Sequence, residues 1–169
     1  MQTANDEGSG QIISRQVLAL LAGEWLGEGE GDYPTIDSFV YREKMTFELR
    51  SENMLYYMQR TEKQITGQTA WVTSHWESGF IRLLTGNLLE LANVQRGGRG
   101  EVLVGKLTKT GDRFELDFKS VTLSNDARMV ATARTFVLAG SRLHYEMMMH
   151  TTESDKLLRH LQAALRRVA

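Results

Sequence analysis

Phe39-Val-Tyr41-Arg-Glu-Lys-Met45-Thr-Phe47-Glu-Leu49 is the stretch that decides the fold. Phe39, Tyr41, Met45, Phe47 and Leu49 share one face of an extended chain, while Arg42, Lys44, Thr46 and Glu48 share the other. Side chains separate in this way, with a period of two, in a half-buried strand. Phe114, Leu116 and Phe118 oppose Arg113, Glu115, Asp117 and Lys119 in the same manner. Turn signals recur at Thr66-Gly67, Gly86-Asn87, Gly97-Gly98, Gly111-Asp112, Ser124-Asn125-Asp126 and Gly140-Ser141. The runs between them amount to about ten strands. Short, evenly spaced strands read as an antiparallel up-and-down meander, and a long meander closes because closure removes its unpaired edges. A barrel of more than about eight strands is too wide to be filled by its own side chains, so a cavity and a ligand are expected.

Two segments carry the helical period instead. Ser14-Arg-Gln-Val17-Leu18-Ala-Leu20-Leu21-Ala-Gly23 opens on an N-cap residue and stops at a glycine, which predicts a short N-terminal helix plugging one barrel end. Ser154 to Val168 predicts a C-terminal helix, with Ser154 as N-cap and Leu157, Leu161, Ala164, Leu165 and Val168 as its apolar stripe. His160 borders that stripe. Residues 1–12 are polar and read as a disordered tail, and 13–169 read as one domain.

The bulk numbers exclude several classes. A net charge of -1 and the absence of a basic tract argue against nucleic acid. There is no cysteine, which removes disulfides, thiolate catalysis, zinc-thiolate sites and CxxCH haem attachment. Met1 to Gln11 lacks the charged start and apolar run of a signal peptide, and no stretch reaches the ~20 apolar residues of a membrane span. The expectation is a soluble, cytoplasmic domain.

Gly23-Glu-Trp25-Leu-Gly27-Glu-Gly29 spaces its glycines so that a neighbouring backbone or ligand can approach one face, with Trp25 closing the barrel floor. No helix opens after these glycines, so they are not a dinucleotide fingerprint. His160 is the leading candidate ligand, since an imidazole aimed into an apolar cavity is costly unless it binds something, and histidine is a common axial ligand of haem iron. Alternation puts Trp71, Thr73, His75 and Glu77 on one face and Trp76 on the other. His75 reads either as half of a His-Glu pair or as a polar distal group, and Glu77 with Arg82 as an ion pair across the turn. Leu143, Tyr145, Met147 and Met149 are expected inward, which leaves His144 and His150 outside, and the methionines read as core filler. There is no GxSxG elbow or HExxH spacing, and the carboxylates fall on solvent faces, so nothing indicates a hydrolase.

Taken together, Gly23-x-Trp25-x-Gly27-x-Gly29, Tyr33-Pro34-Thr35-Ile36, His75-x-Glu77-x-Gly79-Phe80-x-Arg82, Leu143-x-Tyr145-x-x-x-Met149 and His160-Leu161-x-Ala163-x-Leu165 resemble the nitrobindins. These are haem-binding β-barrels related to fatty-acid-binding proteins, and the motifs run in the family's order from about Leu21 to Arg167. The resemblance implies a ten-stranded, calycin-like antiparallel barrel holding haem b near its open end. It implies that His160 is the proximal iron ligand, that His75 and Gln95 lie near the haem on the distal side, that Arg128 lies near a propionate, and that Thr35 contacts the pocket. Where the family carries a proline close before the histidine, this chain reads Leu157-Leu158-Arg159.

The activity so implied is binding of nitric oxide by ferrous haem and isomerisation of peroxynitrite to nitrate by ferric haem. The expected partners are these small molecules, with no nucleic acid or membrane and a homodimer left open. The rival readings are a non-catalytic carrier of a fatty acid or other apolar ligand, and an interaction module with a vestigial cavity.

Overall fold

The computed structural model describes residues 4–33, 36–64 and 69–168. One helix, α1 (Ala4–Leu21), is followed by ten strands: β1 (Gly23–Tyr33), β2 (Ile36–Ser51), β3 (Met54–Gln64), β4 (Trp71–Leu83), β5 (Leu88–Gln95), β6 (Gly100–Thr110), β7 (Arg113–Ser124), β8 (Met129–Ala139), β9 (Arg142–Thr151) and β10 (Leu158–Arg167). Each strand pairs with its sequence neighbours, and β1 pairs with β10 to close the barrel. Among the described residues no helix is long and apolar enough to cross a membrane.

The expected C-terminal helix is absent. Its segment is β10, which lies between β1 and β9 and covers edges that both would otherwise expose. Of the supposed helical stripe, Leu165 faces the core at 2% exposure, as does Ala163, which lies outside that stripe, whereas Ala164 and Val168 are exposed. The β1 glycines make this closure possible. A Cβ on Gly27 would run into the carbonyl oxygen of Ala164 on β10, and one on Gly29 would run into the Tyr41 ring.

Helix α1 plugs one end through Val17, Leu18 and Leu21, all fully buried, while Leu20 of the expected stripe is largely exposed. It begins at Ala4, so residues 4–12, expected as a disordered tail, are helical. Ser14 is therefore inside the helix, where its hydroxyl donates to the Gly86 carbonyl (3.2 Å) rather than capping. Arg15 donates to Asn53 (3.0 Å) and pairs with Glu52 (3.1 Å). At the helix end, Gly23 takes a φ of 133°, which favours glycine, and turns the chain into β1.

The carbonyls of the last helical turn need partners that the helix itself does not supply. The Trp25 indole donates to the Leu21 carbonyl (2.8 Å), and Arg167 donates to Ala22 (2.7 Å) and to Leu20. The Arg167 guanidinium lies 4.7 Å over the Trp25 ring. Trp25 thus closes the floor as expected and also joins α1, β1 and β10. Above it sits an apolar half of the core, where Phe136 packs on Phe47, Phe118 and Tyr145 with ring centroids 6.5, 6.2 and 5.1 Å away.

Trp25→Ala should lower stability by about 3–5 kcal/mol, whereas Trp76→Ala, at a half-exposed position, should cost less than about 0.5 kcal/mol. Urea unfolding followed by circular dichroism checks both.

Candidate functional site

Alternation back from Leu165 and Ala163 points Leu161 inward and His160 outward. The ladder, however, breaks here. Arg159 pairs with Met148 and Leu161 with Met147, so His160 is the extra residue of a β-bulge. A bulge re-aims side chains, and His160 is turned in to 4% exposure. Its Nδ1 lies 2.8 Å from the Leu158 carbonyl oxygen. A carbonyl can only accept, so Nδ1 carries the proton, and Nε2 has no hydrogen-bond partner among the described residues. Tyr33 packs edge-on against the imidazole at 4.8 Å.

Three cavities meet at this open end. One, of about 320 Å³, is lined by His160 with Tyr33, Arg99, Arg128, Met129 and Met149. A second, of about 290 Å³, places His160 and Leu161 beside Gly31, Phe39 and Val40. The third, of about 240 Å³, lies inside the barrel beside Tyr41, Thr61, Lys63, His75, Gln95 and Arg99. Tyr33, Arg99 and Met149 line both the first and the third.

Of the expected site residues, His160 and Arg128 come together in the first cavity, and His75 and Gln95 in the third. Thr35 lies outside the described residues. The Arg128 side chain is 75% exposed and pairs with Asp126 (3.2 Å). His75 Nε2 lies 3.1 Å from Glu77 Oε2, so the His-Glu pair exists and also borders the cavity. Trp71 and Thr73 do not share that face. A register shift in β4 leaves Ser74 as an extra residue, and Trp71 sits outside under the exposed Arg42 guanidinium (4.0 Å). His144 and His150 lie off the inner face, as expected.

Beneath these cavities runs a buried ionic layer that the sequence reading missed. Arg134, fully buried, donates to both Glu77 oxygens (2.5 and 3.0 Å), to Glu101 (2.9 Å) and to the Tyr145 hydroxyl (3.2 Å). Tyr57 donates to Glu77 (2.7 Å). Gln95 donates to Glu101 (3.0 Å) and accepts from Arg99 (2.6 Å), whose Nε lies 3.3 Å from Glu101. Glu77 therefore belongs to Arg134, and the expected partner Arg82 instead pairs with Glu90 outside (2.6 Å). The carboxylates of Glu43, Glu77 and Glu101 are inside, contrary to the expected solvent placement.

Two of these carboxyls are driven apart by their surroundings. Burial alone would raise Glu77, but the Arg134 guanidinium, reinforced by hydrogen bonds from His75 and Arg134, holds it well below the usual carboxylate range. Glu43 has no cation within ion-pair distance among the described residues. Burial pushes it up to about 8, against the opposing hydrogen bond from Gln59 (2.7 Å). The signal for both groups was present in the alternation: Glu43 has the parity of Tyr41 and Met45, and Arg134 that of Phe136 and Leu138. Arg99 follows a Gly97-Gly98 turn and carried no such periodic cue.

The family model of the THAP4-like, heme-binding beta-barrel domain matches residues 15–167. A peroxynitrite isomerase of Nocardia farcinica is 35% identical over 153 residues, covering 89% of this chain and 88% of that protein. Peroxynitrite isomerase 1 of Rhodococcus jostii is 36% identical over 151 residues, covering 89% and 82%. The crystal structure of Rv2717c from M. tuberculosis matches with a TM-score of 0.83 at 29% identity, over 92% of this chain and 98% of that one.

Arg134→Met strands two buried carboxyls and should cost about 3–5 kcal/mol at pH 7. Because the folded-state pKa of Glu77 is depressed, the stability it gives the native protein is present above the unfolded carboxylate pKa of about 4.3 and fades as pH falls below it. The gap between wild type and Arg134→Met in urea unfolding should therefore narrow from pH 7 to pH 3.

Proposed function

We propose a function from the premise that this chain belongs to the THAP4-like, heme-binding beta-barrel domain family, the nitrobindins: it binds haem b and isomerises peroxynitrite to nitrate. The observation that carries the reading is the bulge at His160, which turns an imidazole inward and ties its Nδ1 to backbone, leaving Nε2 as the donor for a metal. The surroundings fit that group: Tyr33, Phe39, Met129, Met149 and Leu161 offer apolar or aromatic surface for a macrocycle, and Arg99 and Arg128 offer cations for its carboxylates. With no cysteine in the chain, attachment through thioethers is excluded, which favours haem b.

In this reading His160 is the proximal ligand, and the Leu158 carbonyl fixes its tautomer and ring plane. Tyr33 limits rotation of the ring by packing against its edge. His75 is held by Glu77, and Gln95 by Glu101 and Arg99, so both shape the inner cavity as fixed polar groups rather than as mobile acids and bases. Haem held there would supply the iron chemistry of the reading, peroxynitrite isomerisation in its ferric form and nitric oxide binding in its ferrous form. The haem-binding domain expected over residues 13–169 also takes in the start of α1 from Ala4, and its expected setting is cytoplasmic.

The carrier reading finds no support in Arg134, the fully buried cation, which is already committed to Glu77, Glu101 and Tyr145.

Hemin titration should give a saturable one-to-one Soret change in the wild type. His160→Ala should weaken binding by at least the about 10–100-fold typical of losing an outer-shell partner of a metal site. Equal affinity and an unchanged spectrum in the variant would remove the proximal assignment.

A further inference from the structure

The inner cavity of about 240 Å³ has a use of its own. Its wall presents the hydroxyls of Thr61 and Ser74, the His75 ring, the Gln95 amide and the cations Lys63 and Arg99, and no carboxylate is among its lining residues. Glu77 and Glu101 stand behind that wall, engaged with Arg134. Arg99 is shared with Glu101 and with Asp126, which is 3.8 Å away. Lys63 has no ion pair among the described residues, and its Nζ lies 5.5 Å over the ring of Phe39, another wall residue. Thr61 Oγ1 and Ser74 Oγ lie 2.8 Å apart and share one hydrogen bond, which leaves one O–H for a ligand, so the lining residues present two cations, that hydroxyl donor and no carboxylate.

The floor completes the arrangement. Glu43 is the cross-strand partner of Thr61 and, two residues along β2 from Tyr41, faces the same side. Glu43 Oε2 and Gln59 Oε1 are buried and have no hydrogen-bond partner among the described residues. The groups facing Glu43 are Tyr41 on its own strand, Gln59 on β3, Glu77 on β4, Arg134 on β8 and Tyr145 on β9. Arg134 is the only cation among these, and its hydrogen bonds go to Glu77, Glu101 and Tyr145.

We propose that this inner cavity is a binding site for a small monovalent oxyanion, held by Lys63, Arg99 and the Thr61 and Ser74 hydroxyls. The proposal deepens the proposed function, whose substrate is itself such an anion, and rests on that reading for its relevance to catalysis. The site itself is made by protein side chains alone. Burial keeps Glu43 protonated up to about pH 8, so the floor is neutral at pH 7. Above that pH the new carboxylate, one side chain away from Thr61, opposes an anion in the cavity.

The test is a titration of the full chain with sodium nitrate at constant ionic strength, with and without one equivalent of hemin, followed by 1H–15N NMR. Saturable shifts should centre on Thr61, Ser74 and Gln95. Lys63→Gln and Arg99→Gln should each weaken nitrate binding by about fivefold or more. Raising the pH from 7 to 9 should weaken it by about tenfold in wild type but by less than about twofold in Glu43→Gln. Lys63 has a partly exposed side chain, so its variant keeps the test decisive if Arg99→Gln does not fold. Unsaturable shifts, shifts confined to surface lysines, or unchanged affinity in Lys63→Gln would overturn the proposal. Hemin binding without nitrate binding would remove this site and leave the proposed function standing. Nitrate binding that persists in a chain unable to bind hemin would do the reverse.

Discussion

In a closed barrel the parity of each position assigns its side chain to the inside or the outside, and consecutive residues share a side only where the ladder is broken. β10 is broken at His160, so His160 and Leu161 both serve the open end: the histidine borders the outer cavities and the leucine also reaches the inner one. A regular ladder would have sent the imidazole to solvent and left an ordinary barrel end. The Leu158 carbonyl, two residues away on the same bulged segment, fixes which ring nitrogen remains available. One inserted residue therefore sets ligand direction and tautomer together.

The Arg134 layer divides the interior into two environments. Toward α1 the core is aromatic and aliphatic, locked by Trp25 and Arg167 at the helix end. Toward the open end it is polar, and the groups lining the cavity are braced from behind by Glu77 and Glu101. A buried ion cluster is a weak source of net stability, because desolvation offsets much of its attraction. Its physical contribution here is positional: His75 and Gln95 are each held by a carboxylate that is itself held by Arg134.

The strand alternation, the closure and the inward faces of β2, β7 and β9 were legible because a half-buried strand writes its period directly into the sequence. The last element was misread for an equally physical reason. Leu157, Leu161, Ala164 and Leu165 satisfy the helical spacing, and Leu, Arg, Gln and Ala are good helix formers. The unpaired edges of β1 and β9 outweigh that local preference, a tertiary demand that no window of sequence displays. His160 was singled out as a candidate on a helix edge, whereas it stands in a bulge. The ionic layer was hidden differently: Glu43, Glu77 and Arg134 have inward parity, but only the folded barrel shows that they meet across it.

The most direct test of the account is a histidine-selective 15N NMR spectrum of the full chain, recorded before and after addition of one equivalent of ferric hemin. The account predicts a His160 ring protonated at Nδ1 and bare at Nε2, with its resonances lost to paramagnetic broadening once hemin is bound while those of His144, on the outer face, persist. An Nε2-protonated His160, or His160 signals untouched by hemin, would contradict it.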